Sequence, residues 1–244
     1  MNINADGGLL ISPQLADDIY GHFKVSATGN LLTGSKQFNY NLGGELGLSL
    51  KQNADKYAIG LSYNRQFFDN NAYYSQYGIW AIWDKALSDK LNWSGRFSFQ
   101  KMDYDGAIEH EYYSSLAQTF SYEQSAELGF HLAPTIAFKK SYINGDDTAK
   151  FGLSFGTRHS LVSYFTIHNR IAAQYETHLQ TDNLFGVSRK DLTLSASIRV
   201  ANSKIRIFDF APNIEYQYQN RNSNIQLYNY QNHAITFGLT KKFK

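Results

Sequence analysis

Apolar residues alternate with small or polar ones through nearly the whole chain, and that period restricts it to strands. Successive strand side chains point to opposite faces, so a period of two marks a sheet with two unlike sides. Across 37–51, Phe38, Tyr40, Leu42, Leu46, Leu48 and Leu50 share one face, and Asn39, Asn41, Glu45, Ser49 and Lys51 share the other. The same contrast recurs in Tyr57, Ile59, Leu61 and Tyr63 against Ala58, Gly60, Ser62 and Asn64. It recurs again in Leu91, Trp93, Phe97 and Phe99 against Asn92, Ser94, Arg96, Ser98 and Gln100. Further alternating stretches fall at 127–138, 151–158, 192–200, 213–219 and 235–240, with weaker ones near 19–31, 73–86 and 162–176. Many of these stretches run for about 12 to 15 residues, whereas strands of soluble proteins centre on about 5–6.

Length and a two-faced pattern together point to an all-β, transmembrane, antiparallel up-and-down β-barrel. A barrel strand shows lipid only every second side chain, so its average hydropathy stays low. The mean hydropathy of −0.43 and hydrophobic share of 43% fit that expectation. No run approaches the roughly 18 apolar residues of a membrane-crossing helix. Aromatic residues make up 16% of the chain, with 18 Tyr, as interfacial belts require. Lipid offers no hydrogen-bond partners, so the first and last strands of such a sheet are expected to meet.

Turn signals set the strand count. Short turns are expected at 53–55, 88–90, 123–124, 158–161 and 201–204, and longer polar connections at 68–74, 104–111, 140–148, 177–189 and 220–230, with the shorter 32–36 on the same side. Short periplasmic turns alternating with longer outer loops are the barrel habit. If a strand fills 112–122, where the pattern is weak, the count is about twelve; fourteen follow if Gly8–Ile11 or Asn224–Tyr228 also pair. An even count places both termini in the periplasm. The expected organisation is an N-terminal periplasmic extension over 1–18 and an outer-membrane barrel over 19–244 of a Gram-negative cell. Met1–Asp6 lacks a basic stretch followed by an apolar one, so the sequence reads as a mature form or a domain cut from a longer chain.

Two resemblances are carried by the C-terminal quarter. The last strand resembles the terminal signal recognised by the barrel assembly machinery: Thr236, Gly238 and Phe243 fit, while Lys241 stands where an apolar residue is usual and Lys244 follows the expected end. Over 189–243 the chain carries Arg189, Lys190, Asp191 and Leu192, then Phe210, Pro212, Ile214 and Tyr216, then Asn222, Ser223, Asn224, Leu227, Tyr228 and Tyr230, and closes on Lys242 and Phe243. This resembles the C-terminal barrel of the surface lipoprotein assembly modifier (Slam) family, with its f-x-P-x-l-x-y strand, n-S-n-x-x-l-y-x-Y loop and terminal k-x-F. The resemblance implies help in exporting or displaying client lipoproteins, or related secreted haem- and metal-acquisition proteins. The family commonly adds a periplasmic tetratricopeptide domain, and no helical repeat of about 34 residues occurs here. An isolated barrel domain fits that departure, and so does a porin-like passive channel.

No constellation for catalysis stands out. Arg158, His159 and Ser160 are adjacent, so His159 and Ser160 point to opposite faces if the strand continues. Glu109, His110 and Glu111 carry metal-capable groups in a polar loop; the seven His show no zinc-type spacing. Asn144, Gly145, Asp146 and Asp147 lack the ligand order of a calcium loop and read as a turn. With no Cys and a net charge of +2, neither thiolate chemistry nor nucleic acid is implied. No catalytic residue, metal or cofactor is therefore expected. The partners expected are outer-membrane lipid, a client protein and the assembly machinery, around a monomeric barrel. The face opposite the apolar rows is expected to line the lumen through Glu45, Asn64, Arg96, Gln100, Glu127, Arg158, Arg199, Glu215 and Gln217, either as structural packing or as a polar path for a client. Tyr73, Tyr74, Tyr77, Trp80 and Trp83 are expected in an interfacial girdle or in loop packing.

Overall fold

The computed structural model describes residues 2–32, 37–106, 110–142, 146–162, 164–182, 184–205 and 210–240. Fourteen strands account for almost all of them: β1 (Asn2–Ile11), β2 (Gln14–Ala16), β3 (Ile19–Leu32), β4 (Gln37–Gln52), β5 (Asp55–Phe68), β6 (Asn71–Ala86), β7 (Leu91–Tyr104), β8 (His110–Glu123), β9 (Leu128–Ser141), β10 (Thr148–Val162), β11 (Phe165–Thr181), β12 (Ser188–Asn202), β13 (Ala211–Ser223) and β14 (Tyr230–Thr240). They form one sheet in which β1 neighbours β3 and each later strand then neighbours the next in sequence, with β2 also on β3. Gln226–Tyr228 forms one turn of 3-10 helix. The chain divides into two compact units: one of residues 1–85, 94–116 and 137–147, the other of 86–93, 117–136 and 148–244.

The twelve expected strands correspond to β3–β14, including β8 in the weakly patterned 112–122 stretch. The 1–18 segment is not an extension ahead of the sheet. Asn2 to Ile11 pair antiparallel with Leu32 to Phe23, and Gln14 lies opposite Tyr20. β1 and β2 thus follow β3 as one traverse, interrupted at Ser12 and Pro13. Proline has no N–H to give a ladder, and its carbonyl instead accepts the Gly21 N–H at 2.8 Å. Gly8–Ile11 therefore pairs as the fuller count requires, whereas Asn224–Tyr228 holds the 3-10 turn. The added traverse puts Asn2 beside Leu32, at the sheet end of the 33–36 connection, so the even-count argument for an N-terminus beside the short turns does not hold.

Connections are shorter than their polarity suggests. The 68–74 stretch reduces to a two-residue turn, Asp69–Asn70, with φ of 48° and 65°. Asp and Asn tolerate the left-handed region, and such pairs match the twist of a hairpin. The 177–189 stretch reduces to 182–187, where Asp182 Oδ1 accepts the N–H groups of Leu184 and Phe185 and Gly186 takes φ 68°. Ladder hydrogen bonds need no apolar side chain, so strands continue past the alternating core into polar sequence.

The packing reverses that of a soluble protein. Leu46, Leu48, Ile59 and Leu61 are neighbours on β4 and β5 and are each more than half exposed. On β12, Leu192, Leu194 and Ile198 are also exposed. By contrast Asp191 and Thr148 are among the most deeply buried side chains. Each such apolar side chain left in water forfeits roughly 1.5–3 kcal/mol of burial, so contiguous rows of them require a hydrocarbon environment. In the first unit the apolar rows end in aromatic clusters: Phe38 stacks on Tyr40, Tyr40 stacks on Phe67 at 4.5 Å, and Tyr63 meets Tyr77. Trp80 departs from the girdle reading. It is 1% exposed and faces the polar side of the sheet. Tyr73 and Tyr77 remain exposed on the apolar side.

Candidate functional site

The polar face of the first unit is organised around Glu45 on β4. The β3–β4 register puts Lys24 directly opposite it and His22 two residues along. Lys24 Nζ lies 3.1 Å, His22 Nε2 3.5 Å and Arg96 3.7 Å from its carboxylate. One carboxylate thereby serves three nitrogen-bearing side chains from two other strands. The Arg96 guanidinium also lies 5.6 Å from the Trp80 ring, and His22 meets that ring edge-on at 4.9 Å. Trp80 Nε1 donates to the Leu61 carbonyl at 3.2 Å. Gly47 and Gly60, opposite each other on β4 and β5, leave the room this indole fills: a Cβ on either would collide with it. Beside this cluster runs an amide ladder, in which Asn64 donates to Gln76 at 3.4 Å and Gln76 to Gln100 at 2.7 Å.

Toward the 142–147 connection of the same unit, buried Glu111 accepts from Tyr104 at 3.0 Å and Ser141 at 2.8 Å, with Lys139 at 3.5 Å. Asp147, beyond the end of β9, binds Lys140 Nζ at 2.6 Å and the Ser141 N–H at 2.9 Å. The lysine bond and the backbone donor hold its carboxyl below the usual carboxylate range.

In the second unit the register builds two cross-strand rows on the polar face. Arg158, His168, Arg199, Glu215 and Thr236 lie abreast on β10 to β14, and Gly156, Arg170, Ser197, Gln217 and Ala234 form the next row. Several of them, with His131, surround a recess of about 490 Å³. Arg158 is held by Glu123 at 2.5 Å and reaches Ser160 at 3.2 Å. Glu215 accepts the Gln217 amide at 2.9 Å. Nearer the 182–187 connection, Asp191 is 1% exposed and is bound through both oxygens by Arg189, with Arg221 at 3.7 Å. The Arg189 guanidinium covers the Tyr228 ring at 3.7 Å, tying the 3-10 turn to β12.

Eight of the nine residues expected on the lumen side lie on strands and fall into two groups: Glu45, Asn64, Arg96 and Gln100 in the first unit, and Arg158, Arg199, Glu215 and Gln217 in the second. Glu127 does not join them; it lies exposed in the 124–127 turn, where its carbonyl accepts the Ser160 N–H at 2.7 Å. Thr236 and Gly238 occupy β14 opposite Glu215 and Asn213, and Phe243 lies outside the described residues. The residues not foreseen, Lys24, His22, Gln76, His131, His168 and Arg170, sit mostly on strands whose alternation is weak. Register against a clear neighbour, as of Lys24 against Glu45, is the signal that finds them.

His159 and Ser160 are consecutive on β10, and the hydroxyl of Ser160 accepts from Arg158. His110 packs against Tyr112 and Tyr142, and Asp146 pairs with Lys139 at 2.8 Å. Asn144, Gly145 and Glu109 lie outside the described residues. Among the described residues no three His, Asp or Glu gather as a metal site would require.

A family model described as surface lipoprotein assembly modifier matches residues 12–243. A solved bacterial polysaccharide outer-membrane secretin is similar over 99% of this chain and 91% of its own, with a TM-score of 0.52 and 13% identity. OmpT, an outer membrane protein of Vibrio cholerae, is similar over 76% of this chain and 83% of its own, with a TM-score of 0.49 and 8% identity. The NanC porin is similar over 91% of this chain and 98% of its own, with a TM-score of 0.43 and 14% identity. No curated protein matches in sequence.

Proposed function

From the premise that this chain belongs to the surface lipoprotein assembly modifier family, we propose that it is a non-catalytic translocator for client lipoproteins or related secreted proteins. Its fold is the outer-membrane β-barrel, and its setting is the Gram-negative outer membrane, with a role in lipoprotein assembly there. Beyond that, the polar sheet faces serve as the path along which an unfolded or partly folded client passes. The observation that carries this reading is the inverted packing: exposed Leu and Ile rows on one face, and Glu45, Arg96, Arg199 and Gln217 on the other. Charge of both signs, much of it held by neighbours, offers a client many weak contacts. Haem- and metal-acquisition proteins are the client class that the family suggests. The short turns and the end of β14 face the periplasm, the barrel is monomeric, and Thr236, Gly238 and Phe243 engage the assembly machinery.

Cells lacking only this protein should retain a specific client inside, and restoring the gene should return it to the surface. Unchanged surface display of every lipoprotein would refute the proposal. The recess of the second unit favours one other reading, a passive channel for small solutes. Planar-bilayer recording separates the two: a steady, client-independent conductance supports the channel.

A further inference from the structure

Most charges on the polar face of the second unit are matched: Arg158 by Glu123, Lys150 by Glu176, and Arg189 and Arg221 by Asp191. Among the cations of that face, Arg170 and Arg199 are not. Among the described residues neither forms an ion pair within 4 Å nor a side-chain hydrogen bond, and both are exposed in the recess. Arg199 lies abreast of Glu215 in the strand register, yet Glu215 is engaged by Gln217. Arg170 stands opposite Ser197, and Arg199 is two residues farther along that neighbouring strand. Diagonal neighbours of this kind sit about 7–8 Å apart at the backbone, close enough for two long guanidinium arms to converge on one group. The floor between them is small: Gly156 and Ser197 flank Arg170 in register, and Ala172 and Ser195 continue the recess. His131 fills the space above Gly156, closing one side.

We propose that Arg170 and Arg199 form an oxyanion site that takes a carboxylate or phosphate group into this recess. Guanidinium forks match the planar geometry of such groups, and a recess of about 490 Å³ with a largely polar lining admits a small anion or an acidic side chain. The inference rests on the reading of this face as the wet interior and names the ligand chemistry it selects. On that reading the anion is an acidic side chain of a passing client; a free anion is the other source of the same chemistry.

The test uses the full chain, folded and purified in detergent, titrated calorimetrically with inorganic phosphate and separately with a six-residue glutamate peptide. Saturable binding, weakened about tenfold or more in the Arg170→Ala, Arg199→Ala double variant, is the expected result. Tighter binding of the peptide assigns the site to client carboxylates, and equal binding assigns it to free anions. Absence of saturable binding to either probe, or equal binding by the double variant, overturns the site. The single variants Arg170→Gln and Arg199→Gln, each checked for the folded state by its strand spectrum, replace the double variant if that fails to fold. A Ser197→Cys variant treated with a membrane-impermeant maleimide separates the two failures. Labelling without anion binding overturns only the site, whereas a thiol protected from the reagent at that position overturns the interior assignment beneath it.

Discussion

Trp80 shows how single residues hold the first unit together. Its indole needs the empty space at Gly47 and Gly60, and the pair cannot be altered independently. Gly60→Val drives a branched side chain into the ring and the Leu46 carbonyl. We expect it to lower the folded fraction more than Gly44→Val, where a Cβ meets only the Lys24 carbonyl at 3.7 Å. Trp80→Ala should cost about 3–5 kcal/mol, as large buried aromatics do, read from the denaturant midpoint of the reconstituted protein. Asp191 is the matching position in the second unit. Asp191→Asn keeps the shape but leaves Arg189 and Arg221 without their carboxylate, and should destabilise by on the order of 3 kcal/mol. An equally stable variant would show that the two arginines find other acceptors. None of these partnerships is visible in sequence. Gly47, Gly60 and Trp80 are far apart along the chain, and only the register that pairs β4 with β5 and β5 with β6 brings them together.

The elements themselves are far more legible than their contacts. Period-two alternation marks β4, β5, β7, β12 and β13 because lipid and water impose opposite demands on successive side chains. It fails for β1, where Leu9, Leu10 and Ile11 are consecutive apolar residues, and for 68–74, where polarity suggests a loop but two left-handed residues suffice. Face assignment is testable on β12. Leu194→Arg should cost about 2–4 kcal/mol if it lies near the bilayer midplane, while Ser195→Arg, on the recess side, should be tolerated. Folding yield into liposomes measures both. At the end of β9, the carboxyl of Asp147 is held below its ordinary value, so its bond to the Ser141 N–H is fully present above about pH 4 and is lost as pH falls through the lowered value. Exchange of the Ser141 amide, corrected for its intrinsic pH dependence, should therefore quicken in acid, and Asp147→Asn should abolish that dependence.

At the scale of the whole molecule, family membership and fold place the chain in outer-membrane lipoprotein assembly, while its interior chemistry has to come from side chains. The sequence carries no Cys, so introduced cysteines report without interference. The most direct measurement is a cysteine scan along 42–50 and 192–200 in protein reconstituted into liposomes, read with a water-soluble, charged maleimide. The account predicts a period of two: labelling at 45, 195, 197 and 199, and protection at 46, 48, 194 and 198, with the buried Ser49 position uninformative. Uniform labelling, or the opposite phase, would contradict it.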